Sequence, residues 1–190
     1  MRKETFRILH PYYVPSKLVD AAENGLKSLR RFKAIADSVC SDGKSAFRGV
    51  RYSAPLRSAA SAVDSIRLDR LPSGIFDDFG SVLGIALTTH RLLRPHGEDM
   101  LVFSSATAYK RYALVSYYKL SDESPEVFAK MVQRQAGFLL IPTRCTAECL
   151  LQGVSDFNDF VEKCVTPDRD FCGDCSSKLG TEMNRLRRYP

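Results

Sequence analysis

Apolar residues recur at three- and four-residue steps through residues 15–43, PSKLVDAAENGLKSLRRFKAIADSVCSDG, at Leu18, Ala22, Leu26, Leu29, Phe32, Ala36 and Val39. That spacing predicts one long amphipathic helix, capped by Ser16 and stopped by Gly43. Gly25 falls inside it and weakens it by about 1 kcal/mol relative to alanine, a loss that packing can offset. A second helix is predicted over 53–71, SAPLRSAASAVDSIRLDRL, with Ser53 as cap, Pro55 in the first turn and Leu56, Ala59, Ala60, Val63 and Ile66 or Arg67 on successive turns. Residues 72–94, PSGIFDDFGSVLGIALTTHRLLR, place Ile75, Phe79, Val82, Leu83, Ala86, Leu87 and Leu93 where they suit a largely buried central helix.

The middle of the chain is less decided. FRGVRY is strand or linker, DMLVFSS reads as a short buried strand, and TAYKRYALVSYYKL fits a helix or a tyrosine-rich strand. SPEVFAKMVQRQAG is a clear helix: Ser124 caps it, Pro125 and Glu126 fill its first turn, and Gly137 is the expected stop. Short helices are expected over TAECLLQG behind Thr143 or Thr146, over SDFNDFVEKCV behind Ser155, and over SSKLGTEMNRLRR. The pattern as a whole predicts a mainly α, multi-helix bundle of about seven helices with at most a minor β element. A helical core over 1–142 carries a Cys-rich helical segment over 143–190 packed on it.

Charge adds a direction to this picture. Residues 1–70 hold 14 Lys and Arg against 7 Asp and Glu, so the net charge of +6 belongs to the first third. Lys27, Arg30, Arg31 and Lys33 share one helix, and Arg48, Arg51, Arg57, Arg67 and Arg70 follow closely. Such a face neutralises phosphates without reading bases, and Tyr52, Tyr109, Tyr112, Tyr117 and Tyr118 could stack on unpaired ones. The reading is a non-enzymatic protein that binds nucleic acid, RNA foremost, without sequence specificity. Its alternative is a self-assembling nucleocapsid- or matrix-type protein meeting RNA or an anionic membrane surface, with helices packing between copies. G-x-S-x-G, P-loop, dinucleotide and H-E-x-x-H signatures are all absent, and His10, His90 and His96 are scattered. Asp77 and Asp78 are adjacent, so they face different sides of a helix and form no acid–base pair.

Cysteine placement supplies the remaining chemistry. Cys40 aligns with apolar neighbours and reads as a buried structural thiol, whereas Cys145, Cys149, Cys164, Cys172 and Cys175 crowd the last quarter. Cys172 and Cys175 have the spacing of a zinc knuckle, with Gly173 permitting the tight turn, and Cys145 and Cys149 would share a helix face. The preferred ligand set is Cys145, Cys149, Cys172 and Cys175 with zinc as cofactor. Ordinary reduced thiols are the default alternative, and Cys164 is a substitute ligand. CGDC also matches redox spacing, but a thioredoxin-like fold has no room in the 15 residues after Cys175. The N-terminus lacks the apolar stretch of a secretory signal, and no run is long enough to span a bilayer. A reducing compartment, cytoplasmic or nuclear, is the expectation.

Overall fold

The computed structural model describes residues 6–10, 15–32, 39–42, 65–67, 83–88, 91–93, 101–102, 104–107, 111–117 and 124–188. They form an α/β layer structure and not a seven-helix bundle. In chain order, β1 (Phe6–Leu9) leads to α1 (Ser16–Lys27), which tightens into a 3-10 turn over Ser28–Phe32, and then to β2 (Val39–Asp42). The strands β3 (Ser65–Arg67), β4 (Leu83–Thr88), β5 (Arg91–Leu93), β6 (Leu101–Val102), β7 (Ser104–Thr107) and β8 (Tyr112–Ser116) follow. Helix α2 (Pro125–Leu140), the short α3 (Phe157–Phe160) with a π turn at Val161–Val165, and α4 (Gly173–Arg188) complete the chain.

The main sheet has five strands in the order β2-β1-β4-β8-β7. Its first four strands run parallel and β7 pairs antiparallel at the edge. A smaller sheet joins β3, β5 and β6. Parallel sheets are covered on both faces, so their strands read as unbroken apolar runs. Strand β4 shows this: LGIALT is buried at every position. That run, expected as part of a helix over 72–94, has the same apolar signature in either state and is resolved only by its partners on both sides. Val39 and Cys40, expected at a helix end, lie in β2, and Ile66 and Arg67 lie in β3. The remaining residues of the predicted 53–71 helix are outside the described ones.

Register sets one face of the sheet toward the helices. Phe6 is opposite Leu83, Ile8 opposite Ile85, Ile85 opposite Ala113 and Leu87 opposite Val115. This row packs with Leu18, Ala22 and Leu26 of α1 and with Val127, Phe128 and Met131 of α2 in one continuous core. Ala86 and Leu114, which alternate to the other face, are buried as well. Helices α1 and α2 lie against each other, with α1 reaching β2 and α2 reaching β4, β7 and β8. A Cβ on Gly25 would lie well inside van der Waals contact distance of the Ala129 carbonyl oxygen and 3.1 Å from its carbon. The two backbones meet there with no side chain between them.

Helix α2 begins where Ser124 and Pro125 place it, and it continues past Gly137 to Leu140. Gly137 is needed for packing rather than as a stop, since a Cβ there would lie 2.9 Å from both the Leu151 and the Phe171 side chains. The expected helix TAECLLQG is instead a bent loop closed by a bridge between Cys145 and Gln152. Helix α3 is capped by Asp156 and not by Ser155: Asp156 Oδ1 accepts the Asp159 N–H at 3.0 Å, and Asp159 Oδ2 accepts the Ser155 N–H at 2.7 Å.

The Asp159 N–H, then the Ser155 hydroxyl, hold the Asp156 carboxyl below the usual carboxylate range. A depressed folded pKa adds stability above the unfolded value of about 4 and loses it as pH falls through the folded one. Asp156→Asn, which still caps, is therefore expected to weaken the acid dependence of the urea midpoint below about pH 4. An unchanged acid limb in the variant would count against this cap.

Candidate metal centre

Two pieces of chain build the centre. The loop after α2 carries Cys145 and Cys149, and it is folded back by hydrogen bonds from the Cys145 N–H to the Leu151 carbonyl at 2.9 Å and from the Gln152 N–H to the Cys149 carbonyl at 3.0 Å. The second piece is the start of α4, where Cys172 precedes the first helical residue and Cys175 sits in the first turn. The Leu150 N–H joins the two pieces by donating to the Asp170 carbonyl at 3.0 Å. As a result the sulphurs of Cys145, Cys149, Cys172 and Cys175 all lie within 4.8 Å of one another. Cys149 and Cys175 are buried, and Cys145 and Cys172 are partly exposed, which leaves one side open to entry of an ion.

The spacing suits a metal. Zinc bound at about 2.3 Å to four thiolates requires sulphurs about 3.8 Å apart, and the Cys145 and Cys172 sulphurs are 3.6 Å apart. That is well beyond a disulfide bond of about 2.05 Å, and Cys145, Cys149, Cys164, Cys172 and Cys175 are all free. The Cys149 sulphur accepts two backbone N–H groups, from Leu151 at 3.5 Å and Cys172 at 3.4 Å. Donors aimed at a sulphur favour its anionic form. The four cysteines are thus placed to bind a metal ion.

Thiol acidity is divided across the cluster. The Cys175 N–H at the helix start, together with its sulphur neighbours, lowers the Cys172 thiol to about 7. Burial pushes Cys175 up, and its bonds to the other three sulphurs push in the same direction. Burial also raises Cys149, against the N–H groups of Cys172 and Leu151. Metal ligation requires thiolates, so a divalent ion enters by displacing the protons that the sulphurs still carry.

Cys164 lies apart from the cluster. It is buried in the π turn, with its sulphur 3.8 Å from Arg134 Nη1 and 3.7 Å from Gln152 Nε2. Arg134 was not anticipated from the sequence. It is a charged residue on the apolar side of α2, seven positions after Val127 and three after Met131, and that break in the stripe is the signal that marks it.

The expected nucleic-acid face is not assembled among the described residues. Lys27 pairs with Glu23 at 3.5 Å one helical turn away. The Arg31 guanidinium forms a two-pronged bond to Asp170 and lies over the Phe32 and Phe171 rings, so it fastens the first third of the chain to the tail. Arg30 lies in the 3-10 turn and Arg67 in β3, whereas Lys33, Arg48, Arg51, Arg57 and Arg70 fall outside the described residues. Tyr112 and Tyr117 are buried and present no ring for stacking; Tyr52, Tyr109 and Tyr118 are outside the described set. No helix among the described residues is long and apolar enough to cross a membrane.

No protein-family model and no curated protein matches the chain. Solved structures do. Archaemetzincin from Methanopyrus kandleri is 20% identical with a TM-score of 0.66, over 96% of this chain and 97% of that one. A zinc-dependent peptidase from Methanocorpusculum labreanum is 14% identical with a TM-score of 0.62, over 92% and 99%. Archaemetzincin from Archaeoglobus fulgidus, crystallised with malonate, is 19% identical with a TM-score of 0.58, over 92% and 99%. At these identities the likeness establishes a shared fold. It overturns the helical-bundle expectation, and with it the reading as a non-enzymatic RNA-binding, nucleocapsid- or matrix-type protein with an RNA or membrane-surface partner. The chain shares its architecture with zinc peptidases.

Proposed function

We propose that this chain acts on peptides and carries one zinc ion on Cys145, Cys149, Cys172 and Cys175. The observation that carries the first part is the match of nearly the whole chain to zinc-peptidase structures, which points to proteolysis. The converged sulphurs support the second. Four thiolates fill a tetrahedron and leave no position for water or substrate, so an ion held there is a structural crosslink between the loop and α4.

Peptide chemistry must then reside elsewhere in the fold. Peptidases of the H-E-x-x-H class carry their zinc-binding histidines one turn apart on a helix. Helix α2, PEVFAKMVQRQAGFLL, has no histidine, and its buried polar residues are Gln133, Arg134 and Gln135. Ligands of open parallel sheets are met at the carboxyl ends of the strands. Here β1, β4 and β8 are adjacent and parallel; β4 and β8 end in Thr88 and Ser116, and His10 directly follows the last residue of β1. Thr88 is directly opposite Ser116 in the register. Thr88 and Ser116 are buried and His10 is partly exposed, so His10 is the first candidate for contact with the peptide.

The test is to incubate the zinc-loaded full chain, and its His10→Ala variant, with a mixed peptide library and to follow new termini and retained peptides by mass spectrometry. Cleavage or retention that weakens in the variant is the expected result. A chain that neither cuts nor retains any peptide overturns the proposal.

A further inference from the structure

Arg134 is the most deeply buried charge among the described residues, at 3% exposure in the middle of α2. A buried cation ordinarily has a carboxylate partner, because an unpaired one loses its hydration without return. Arg134 has none among the described residues. Its Nη1 donates to the Leu150 carbonyl, its Nη2 donates to the Gln152 carbonyl at 2.7 Å, and its plane lies over the Phe138 and Phe160 rings at 4.8 and 5.8 Å. Burial lowers its pKa, and the groups that act against that are sulphurs, those of Cys164 and Cys149.

The two carbonyls have a particular place. Leu150 and Gln152 flank Leu151, whose N–H donates to the Cys149 sulphur and whose carbonyl receives the Cys145 N–H. A planar guanidinium with two forks spans this pair, which an ammonium does not do. Arg134 therefore ties the Cys145–Gln152 loop to α2 at both residues that flank Leu151. A tetrathiolate zinc centre carries a formal charge of −2, and a buried cation beside it is the missing counter-charge.

We propose that Arg134 is a positioning residue of the metal centre, fixing the loop that presents Cys145 and Cys149 and compensating the charge of the ligated sulphurs. This rests on the zinc reading above. Outer-sphere groups of this kind typically change metal affinity by about 10- to 100-fold.

The test is zinc affinity of the full chain by competition with a chromophoric chelator, on wild type, Arg134→Met, Arg134→Lys and Arg185→Met. Wild type should bind one zinc, Arg134→Met should bind about 10- to 100-fold more weakly, and Arg134→Lys, which keeps the charge but not the fork, should fall between. Arg185→Met, which removes an exposed arginine paired with Glu182 toward the far end of α4, should bind as wild type. Loss of the counter-charge should also move the pH of half-loading upward in Arg134→Met. Equal affinity of Arg134→Met and wild type, or an equal loss in Arg185→Met, overturns the proposal. If Arg134→Met fails to fold, Arg134→Lys decides in the same way. A wild-type chain that takes up no zinc overturns the metal reading itself, and this proposal with it.

Discussion

Cys175→Ser is expected to reduce the zinc content from one per chain to near zero and to lower the stability of the tail by about 4 kcal/mol at free zinc 1,000 times the dissociation constant. Serine keeps the shape but removes a soft donor, and three thiolates with a neutral hydroxyl hold zinc far less well. The effect is local in origin: Cys175 is buried at the first turn of α4, and the ion would tie that turn to the loop after α2. Hydrogen exchange should therefore speed up over the loop and α4 while β1, β4 and β8 keep their protection. Protons compete for the same sulphurs, so zinc uptake should strengthen as pH rises through about 7, where Cys172 gives up its proton. Metal analysis of protein purified without chelator is the direct measurement. Equal metal content in variant and wild type would sink the assignment.

Gly25→Ala is expected to destabilise the fold by about 3 kcal/mol, although alanine is the better helix former by about 1 kcal/mol. The added methyl meets backbone, the Ala129 carbonyl, which cannot swing aside as a side chain can. Relief requires α1 and α2 to move apart, and that opens gaps around Leu26 and Val132, both fully buried. The contrasting change is Gly180→Ala in α4, where a Cβ meets nothing within 4 Å. There propensity acts alone, and a gain of up to about 1 kcal/mol is expected. Urea denaturation of both variants checks the pair. If both proved stabilising, the helices would be free to slide and the close crossing would be refuted.

Gly25 also illustrates what a linear reading can and cannot see. From periodicity it is a blemish in a good helix; from the packed structure it is the point of closest approach. Helix α2 was legible because Ser124, Pro125 and Glu126 announce its start, signals that act within one turn of chain. The central strands were not, because LGIALT is apolar on both faces and its state is decided by β1 and β8, which lie far away in sequence. Spacing alone singled out Cys145, Cys149, Cys172 and Cys175, whose sulphurs share one corner of the molecule. It misjudged their support, expecting a helix under Cys145 and Cys149 where a loop is held by Arg134. Charge counting failed for a related reason. Arg31 adds to a basic total, yet its guanidinium is spoken for by Asp170, 139 positions away.

The strand order also has a bearing on how the chain is made. β1, the earliest strand, lies in the interior of the sheet between β2 and β4. During synthesis at about 5–20 residues per second, Phe6 waits roughly 4 to 15 s for its partner Leu83 to appear. For that interval the nascent chain offers an apolar, half-paired strand edge to its surroundings. Cys172 and Cys175 emerge after all the described strands, so the four-cysteine site cannot be complete until every strand of the sheet has been made.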